Sequence, residues 1–169
     1  MEAPLRADAL LRQRADTRPQ ALALADPPNR ESFGLAPPRS FTYAEVNGAV
    51  DTLAQFFIEI GLEPDDTILV QLPNMAEQPL VILAAWRAGL TVAMVPMLWR
   101  GFEIASVCDQ VAPKALIGVS RFGAERPWAT ASLQPLCQSQ ARPFRSKDCT
   151  AFSRTAALRP TSSPTGCSS

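Results

Sequence analysis

The sequence contains no histidine, the side chain that most often serves as a general base or a metal ligand. It also lacks an excess of either charge. Sixteen basic and sixteen acidic residues cancel, so the composition indicates neither a nucleic-acid partner nor an anionic membrane surface. None of the four cysteines forms a C-x-x-C pair, which argues against a zinc knuckle and a redox dithiol. The cysteines are Cys108, Cys137, Cys149 and Cys167.

Long apolar runs are also missing. Charged residues interrupt the stretch Met1–Asp16, so we expect no secretory signal there. The most apolar stretch, Leu80–Val95, contains Arg87 and Gly89 and is too short for a membrane-spanning helix. We therefore expect no membrane span and a cytoplasmic protein with reduced thiols.

The composition changes near residue 124. Residues 125–169 contain no Val, Ile, Met or Tyr but eight Ser, five Thr, five Pro and five Arg. The net charge is −4 over residues 1–124 and +4 over residues 125–169. Because a segment without β-branched aliphatic residues forms strands poorly and buries little apolar area, we expect residues 125–169 to be a disordered tail. The tail is either a natural extension or an out-of-frame translation, and its abrupt start favours the second interpretation.

Residues 1–124 are typical of a folded α/β protein. Thr42 and Glu45 form a T-x-x-E capping box before a helix, with Phe41 and Val46 in the staple positions. Gly61 is placed to end that helix in a left-handed conformation. Asn74 and Glu77 repeat the capping signature before a second helix, whose first turn tolerates a proline. The predicted elements are helix Leu5–Arg14, strand Ala21–Ala25, loop or hairpin Glu31–Pro38, a helix N-capped by Thr42 whose buried face runs from Val46 to Ile60, strand Thr67–Leu72, helix Ala76–Ala88, strand Thr91–Val95, helix Phe102–Val111 and strand Ala115–Val119.

This alternation of strands and helices predicts a parallel sheet with right-handed crossovers. The strands are continuously apolar, as expected when both faces of a sheet are covered. Such sheets bind ligands beyond the carboxyl ends of their strands. These ends are Leu72-Pro73-Asn74, Val95-Pro96-Met97 and Val119-Ser120-Arg121.

Five segments in order and spacing resemble the AMP-forming acyl-CoA synthetases, a branch of the adenylate-forming ligases. Ala15–Asp26 fits the usual opening of that family, and the other segments cover the rest of residues 10 to 120. They are Phe41–Val46 (similar to "TYxEL"), Gly61–Ile68 (similar to "GxxxGDxV"), Leu72–Glu77 (similar to "LPNxxE") and Trp86–Pro96 followed by Glu103 (similar to "AGxxxxP…E"). Asp65 departs from this pattern because it stands where the family usually has glycine.

The resemblance implies the opening subdomain of an AMP-binding synthetase, here incomplete. Intact family members convert a carboxylic acid, ATP and CoA to acyl-CoA, AMP and pyrophosphate, with Mg²⁺ bound to the ATP. This chemistry requires a phosphate loop with a lysine, a metal-binding acid and a late catalytic lysine. In the family these lie downstream of the matched region. We therefore expect no catalytic, cofactor-binding or metal-binding residue in this chain, and no cofactor for the fragment itself.

Thr161–Gly166 superficially resembles the family's phosphate loop, "TSGTTG". It is not followed by Pro-Lys-Gly, and no predicted strand precedes it to hold its amides in a concave nest. We therefore interpret it as part of the tail.

Other candidate residues have simpler structural interpretations. Arg100 and Arg121 lie at the presumed ligand edge but are interpreted as exposed arginines. The remaining candidates are interpreted as follows: Glu45 and Glu77 as capping residues, Asp65 and Asp66 as a solvated turn, Trp86 and Trp99 as core or subunit-contact residues, Cys108 as a buried small hydrophobe, and Lys114 as a lysine without activation.

These observations predict a truncated AMP-forming acyl-CoA synthetase that is inactive alone. Two alternatives stay open: a non-catalytic interaction subunit that pairs with a complementary ligase chain, and a small α/β protein that binds a nucleotide or CoA. The last predicted strand, Ala115–Val119, would expose a sheet edge, which predicts aggregation or marginal stability.

Overall fold

The computed structural model describes residues 7–119, which form four α-helices and five β-strands. Predictions that fall on residues 1–6 and 120–169, including Arg121, Thr161–Gly166 and the tail, lie outside the described residues. The elements are α1 (Ala7–Thr17), β1 (Leu22–Ala25), a 3₁₀ turn (Arg30–Phe33), β2 (Ser40–Thr42), α2 (Tyr43–Glu59), β3 (Thr67–Gln71), α3 (Glu77–Arg87), β4 (Thr91–Met94), α4 (Gly101–Val111) and β5 (Ala115–Gly118). None of these helices is both long and apolar enough to cross a membrane.

The described strands form two sheets. β3, β4 and β5 form a parallel sheet in the order β4-β3-β5, as the alternation of strands and helices predicted. β1 and β2 form a separate antiparallel pair, in which Leu24 lies opposite Phe41 and Ala25 opposite Ser40. β2 was not predicted, because this three-residue strand runs directly into the capping residue of α2 and leaves no separate sequence signal.

The central strand of the parallel sheet, β3, is buried on both faces, whereas β4 and β5 are only partly buried. Leu69 of β3, with its register partners Ala93 and Leu116, packs against Ile104 of α4. Ile68 and Val70 point to the opposite face because successive strand side chains alternate, and both are fully buried. Helices α2 and α3 contact each other extensively and bury Val50, Phe57 and Val81. Burial on both faces explains why the middle of β3, from Ile68 to Val70, is apolar throughout.

The sequence predicted the start and end of α2 correctly. The Thr42 hydroxyl accepts a hydrogen bond from the Glu45 amide at 3.3 Å, and the Glu45 carboxylate accepts from the Thr42 amide at 2.8 Å. Gly61 then adopts a φ of 87°, in the left-handed region that favours glycine. Asp65 also adopts a positive φ, of 69°, so the turn before β3 does require this conformation from the aspartate.

The second predicted capping box, at Asn74 and Glu77, was wrong. The N-cap of α3 is Ala76, which has no side-chain capping bond, and Asn74 is exposed. The Glu77 carboxylate instead binds two arginines from the segment between β1 and β2. Pro79 lies in the first turn of α3, where it was expected to be tolerated.

Candidate functional site

The candidate functional site is the edge formed by the carboxyl ends of the three parallel strands. The register places Gln71 of β3 beside Gly118 of β5, and Val70 beside Met94 of β4. The segments that follow β3 and β4 therefore begin at the same edge, where parallel sheets of this type bind ligands.

Gln71 is the last residue of β3 and is only 1% exposed. Its side-chain amide donates hydrogen bonds to the carbonyls of Pro96 at 2.8 Å and Trp99 at 3.1 Å. Because a buried amide is costly unless it is hydrogen-bonded, these contacts hold the turn after β4 against the end of β3. Gln71 thus organises the edge. No sequence pattern indicated this role, because its partners are backbone atoms 25 and 28 residues away.

Arg100 lies at this edge, as predicted, and is the N-cap residue of α4. Its guanidinium donates to the carbonyls of Met97 at 2.9 Å and Trp99 at 3.2 Å. Its amide donates to the Glu103 carboxylate at 3.0 Å. Hydrogen bonds from the amides of Glu103 and Arg100 lower the pKa of Glu103 below its ordinary value. Arg100 is part-buried rather than fully exposed, and these contacts stabilise the turn and the start of α4.

Beside this edge, four charged side chains form a cluster that joins the two-stranded sheet to the start of α3. The members of this ion-pair cluster are Asp26, Arg30, Arg39 and Glu77. Asp26 follows β1, Arg30 begins the 3₁₀ turn, Arg39 precedes β2 and Glu77 begins α3. Two carboxylates and two guanidinium groups balance in charge, which reduces the cost of burying them.

The Asp26 carboxylate is fully buried and accepts four hydrogen bonds. Oδ1 accepts from the Ala76 amide at 2.9 Å and from Arg30 Nη1 at 2.8 Å. Oδ2 accepts from the amide of Arg39 at 3.1 Å and from its Nε at 3.2 Å. This carboxylate therefore satisfies the amide of Ala76, the N-cap residue of α3, from outside the helix.

The Glu77 carboxylate accepts hydrogen bonds from both arginines of the cluster. Arg30 donates to it from two nitrogens, Nη1 to Oε2 at 2.7 Å and Nη2 to Oε1 at 2.5 Å. Arg39 Nη2 donates to Oε1 as well. The guanidinium of Arg39 also lies over the Phe41 ring, with its carbon 5.2 Å from the ring centroid.

The cluster holds its carboxylates in the ionised form. Burial alone would raise the pKa of Asp26, but hydrogen bonds from Ala76 and Arg39 and the charge of Arg30 outweigh it and lower the pKa. Burial likewise opposes the shift at Glu77, and hydrogen bonding from Arg30 and the charges of both arginines lower that pKa. The pKa of Arg30 is raised, chiefly by its hydrogen bond to Glu77. An ionised, charge-balanced cluster is suited to holding structure rather than to transferring protons.

The other predicted candidates are spread over the surface and the core. Lys114 is exposed, and its amide binds the Thr67 carbonyl, which places it at the amino ends of β3 and β5. Asp65 and Asp66 form the turn before β3, where Asp66 accepts from the Glu63 amide at 2.9 Å. Trp99 and Cys108 are partly buried against the Leu69 cluster, whereas Trp86 is 43% exposed rather than a core residue.

Two shallow clefts lie away from the carboxyl edge. The first, of about 370 Å³, is at the amino end of β4 and is lined by Asp65, Trp86 and Thr91 among others. The second, of about 300 Å³, is mainly apolar and is lined by residues such as Leu11, Leu24 and Val46. Residues 7–119 contain no group of three or more His, Cys, Asp or Glu side chains able to hold a metal ion.

Comparison with known proteins finds relatives of one family. The sequence profile of the AMP-binding enzymes matches residues 11–166, a range that continues past the predicted boundary at residue 124 and includes Thr161–Gly166. Pseudomonine synthase PmsE from Pseudomonas entomophila is 35% identical over 108 residues, which are 64% of this chain and 16% of that protein. Propionate–CoA ligase from Salmonella typhimurium is 25% identical over 131 residues, which are 76% of this chain and 20% of the ligase.

The fold has solved relatives as well. The apo structure of MbtA from Mycobacterium smegmatis superposes with a TM-score of 0.56 and 30% identity, covering 64% of this chain and 19% of that one. This chain therefore spans about a fifth or less of the length of these relatives. With its mixed α/β fold, parallel sheet and profile match over most of its length, the chain belongs to the AMP-binding enzyme family, and its relatives are adenylate-forming synthetases and ligases.

Proposed function

We propose that this chain provides the opening, structural part of an AMP-forming acid–thiol ligase and that the 169-residue product does not form acyl-adenylates by itself. One observation carries the proposal: two polar side chains at the carboxyl edge, those of Gln71 and Arg100, are bonded to the protein's own backbone. Gln71 and Arg100 both donate to carbonyls of the turn after β4. Lys114, the one lysine among residues 7–119, lies at the opposite edge.

The reaction proposed for the intact ligase activates a carboxylic acid with ATP, releases pyrophosphate, and transfers the acyl group from AMP to the thiol of CoA. ATP, Mg²⁺ and CoA are its proposed cofactors. The match to a propionate–CoA ligase supports an acid–thiol ligase of this class. We propose an acyl- or aryl-CoA ligase over a peptide-synthetase module; the greater coverage of the propionate–CoA ligase match, 76% against 64% of the chain, favours the first, and the higher identity of the pseudomonine synthase match, 35% against 25%, favours the second.

The division of the chain at residue 124 is part of the proposal. Its support is the loss of β-branched aliphatic residues after that point. The profile match up to residue 166 supports the rival interpretation, in which Thr161–Gly166 is the family's phosphate loop. Translation of the nucleotide sequence after codon 124 in the other two frames separates the two: a phosphate loop with its lysine in another frame supports an out-of-frame tail, and its absence from both contradicts it.

Pyrophosphate release tests the proposal directly. The purified chain is incubated with Mg-ATP and a panel of aliphatic and aromatic acids, and no acid-dependent pyrophosphate is expected. An intact propionate–CoA ligase is the positive control. Acid-dependent release by the purified chain would contradict the proposal.

A non-catalytic interaction subunit is the second candidate. Three large apolar side chains at the end of β4 and the start of α4 are more than half exposed: Met94, Leu98 and Phe102. Such exposure favours contact with another polypeptide. Co-purification of a complementary ligase chain, with adenylation only in the mixture, would support this candidate. Saturable binding of ATP or CoA by this chain alone would instead support a small α/β nucleotide- or CoA-binding protein.

A further inference from the structure

The loop Leu72–Met75 connects the carboxyl end of β3 to α3 and therefore borders the candidate site. Its internal contacts are short-range: the Met75 amide donates to the Pro73 carbonyl at 2.8 Å, and the Gln78 side chain donates to the Leu72 carbonyl at 3.3 Å. Leu72 and Met75 are each 5% exposed. These contacts set the shape of the loop. The residue that follows the loop, Ala76, is bonded to a distant part of the chain.

That attachment is the hydrogen bond from the Ala76 amide to Asp26, fifty residues earlier in the chain. Ala76 has helical backbone angles and no side chain able to cap α3. One of the first amides of the helix therefore depends on an acceptor from outside the helix.

Asp26 is itself held from several directions. Its amide donates to the Arg39 carbonyl at 2.8 Å, which extends the pairing of β1 with β2. Its carboxylate is fully buried and also accepts from Arg30 and Arg39. Because every one of these partners belongs to the segment Asp26–Arg39, the two-stranded sheet and the 3₁₀ turn form a fixed support for this one carboxylate.

We propose that Asp26 is a positioning residue, whose carboxylate fixes the loop Leu72–Met75 at the carboxyl edge of the parallel sheet by holding the Ala76 amide. The importance of that edge rests on the proposed function, but the positioning itself does not. The two-stranded sheet then has a defined role, because it presents one buried acceptor to the start of α3.

Amide hydrogen exchange of the full chain tests the proposal. In the variant Asp26→Asn we expect the amides of Ala76 and the neighbouring loop to exchange about ten-fold faster, because a neutral amide oxygen is a weaker acceptor than the carboxylate and the new NH2 group faces the Arg39 donors. The amides of Val50 and Phe57, which are buried in the core, should speed up only by the loss of global stability, so the readout is the excess acceleration at Ala76 and the loop. Asp51→Asn is the matched control, since it removes the ion pair to Arg87, with an N–O distance of 2.7 Å, away from the loop. Unchanged exchange at Ala76, or an equal rise at every amide, would overturn the proposal.

A measurement on the unaltered chain covers the case in which Asp26→Asn does not fold. Scalar coupling across a hydrogen bond should connect the Ala76 amide nitrogen to the Asp26 carboxyl carbon, and the Ala76 amide should exchange as slowly as amides inside α3. Absence of the coupling, together with fast exchange at Ala76, would overturn the proposal. Neither measurement depends on pyrophosphate release, so the positioning role and the proposed function fail separately.

Discussion

Glu77 and Arg30 form a two-pronged ion pair, in which Arg30 Nη1 donates to Oε2 at 2.7 Å and Nη2 donates to Oε1 at 2.5 Å. The side chain of Arg30 is only 5% exposed, and that of Glu77 is 21% exposed. This pair joins the 3₁₀ turn to the first residue of α3.

Removing the charge of Glu77 should destabilise the protein. We expect Glu77→Gln to lower the free energy of unfolding by about 2 kcal/mol, because it leaves the two guanidinium groups of Arg30 and Arg39 with one carboxylate, that of Asp26, between them. Urea unfolding followed by circular dichroism measures this. Asp51→Asn is the control: Asp51 is 58% exposed, and Arg87 keeps its hydrogen bonds to Asn47, so a loss of less than about 0.5 kcal/mol is expected. Equal losses in the two variants would contradict the importance of the cluster.

Acid should weaken the same link. The pKa of Asp26 lies below its ordinary value of 3.8 and that of Glu77 below its ordinary value of 4.5. At acidic pH the unfolded chain therefore binds more protons than the folded chain does. The stability contributed by these two carboxylates is fully present above pH 4.5 and is lost progressively below it. Urea unfolding from pH 7 down to pH 3 measures the slope. The slope should be shallower in Glu77→Gln, and identical slopes in the two proteins would contradict the assignment.

The capping predictions show where local sequence signals succeed and where they fail. Thr42 and Glu45 lie three residues apart and bond only to each other's backbone and side chains, so the motif contained all the information needed. Asn74 and Glu77 have the same spacing, but the Glu77 carboxylate binds Arg30 and Arg39 instead. The amide at the start of α3 binds Asp26, which is 50 residues earlier in the chain. Such long-range partners leave no periodic or local pattern in one sequence.

The candidate site could be predicted in position but not in detail. The alternation of strands and helices was enough to place the ends of β3, β4 and β5 at one edge. The role of Gln71 could not be predicted, because its partners are two carbonyls, which any residue at positions 96 and 99 would supply.

The turn before β3 should be more stable with the residue that the family usually has. Asp65 adopts a φ of 69°, and its amide donates to the Gly89 carbonyl at 2.9 Å. We expect Asp65→Gly to raise the free energy of unfolding by about 0.5 kcal/mol, since relief of the left-handed strain is partly offset by chain entropy. Asp65→Ala should lower it by about 1 kcal/mol. Thermal or urea unfolding measures both, and a glycine variant less stable than the alanine variant would contradict this explanation.

The outer edge of β4 should promote self-association. In the described residues β4 pairs with β3 alone, and Met94 at its end is 56% exposed. A charge on an open edge opposes strand addition, so Met94→Lys should reduce concentration-dependent light scattering. Ile58→Lys is the matched control, because Ile58 is 55% exposed but lies on α2. Equal reductions in both variants would show that general apolar exposure, rather than the sheet edge, causes the association.

The central claim is that residues which build the opening of the fold do not by themselves activate a carboxylate. The most direct measurement is exchange of labelled pyrophosphate into ATP by the purified 169-residue chain, with Mg²⁺ and each of several fatty and aromatic acids. This assay detects adenylate formation even when the product stays bound. We expect exchange no greater than in a sample without protein, whereas exchange that requires both the acid and the chain would contradict the claim.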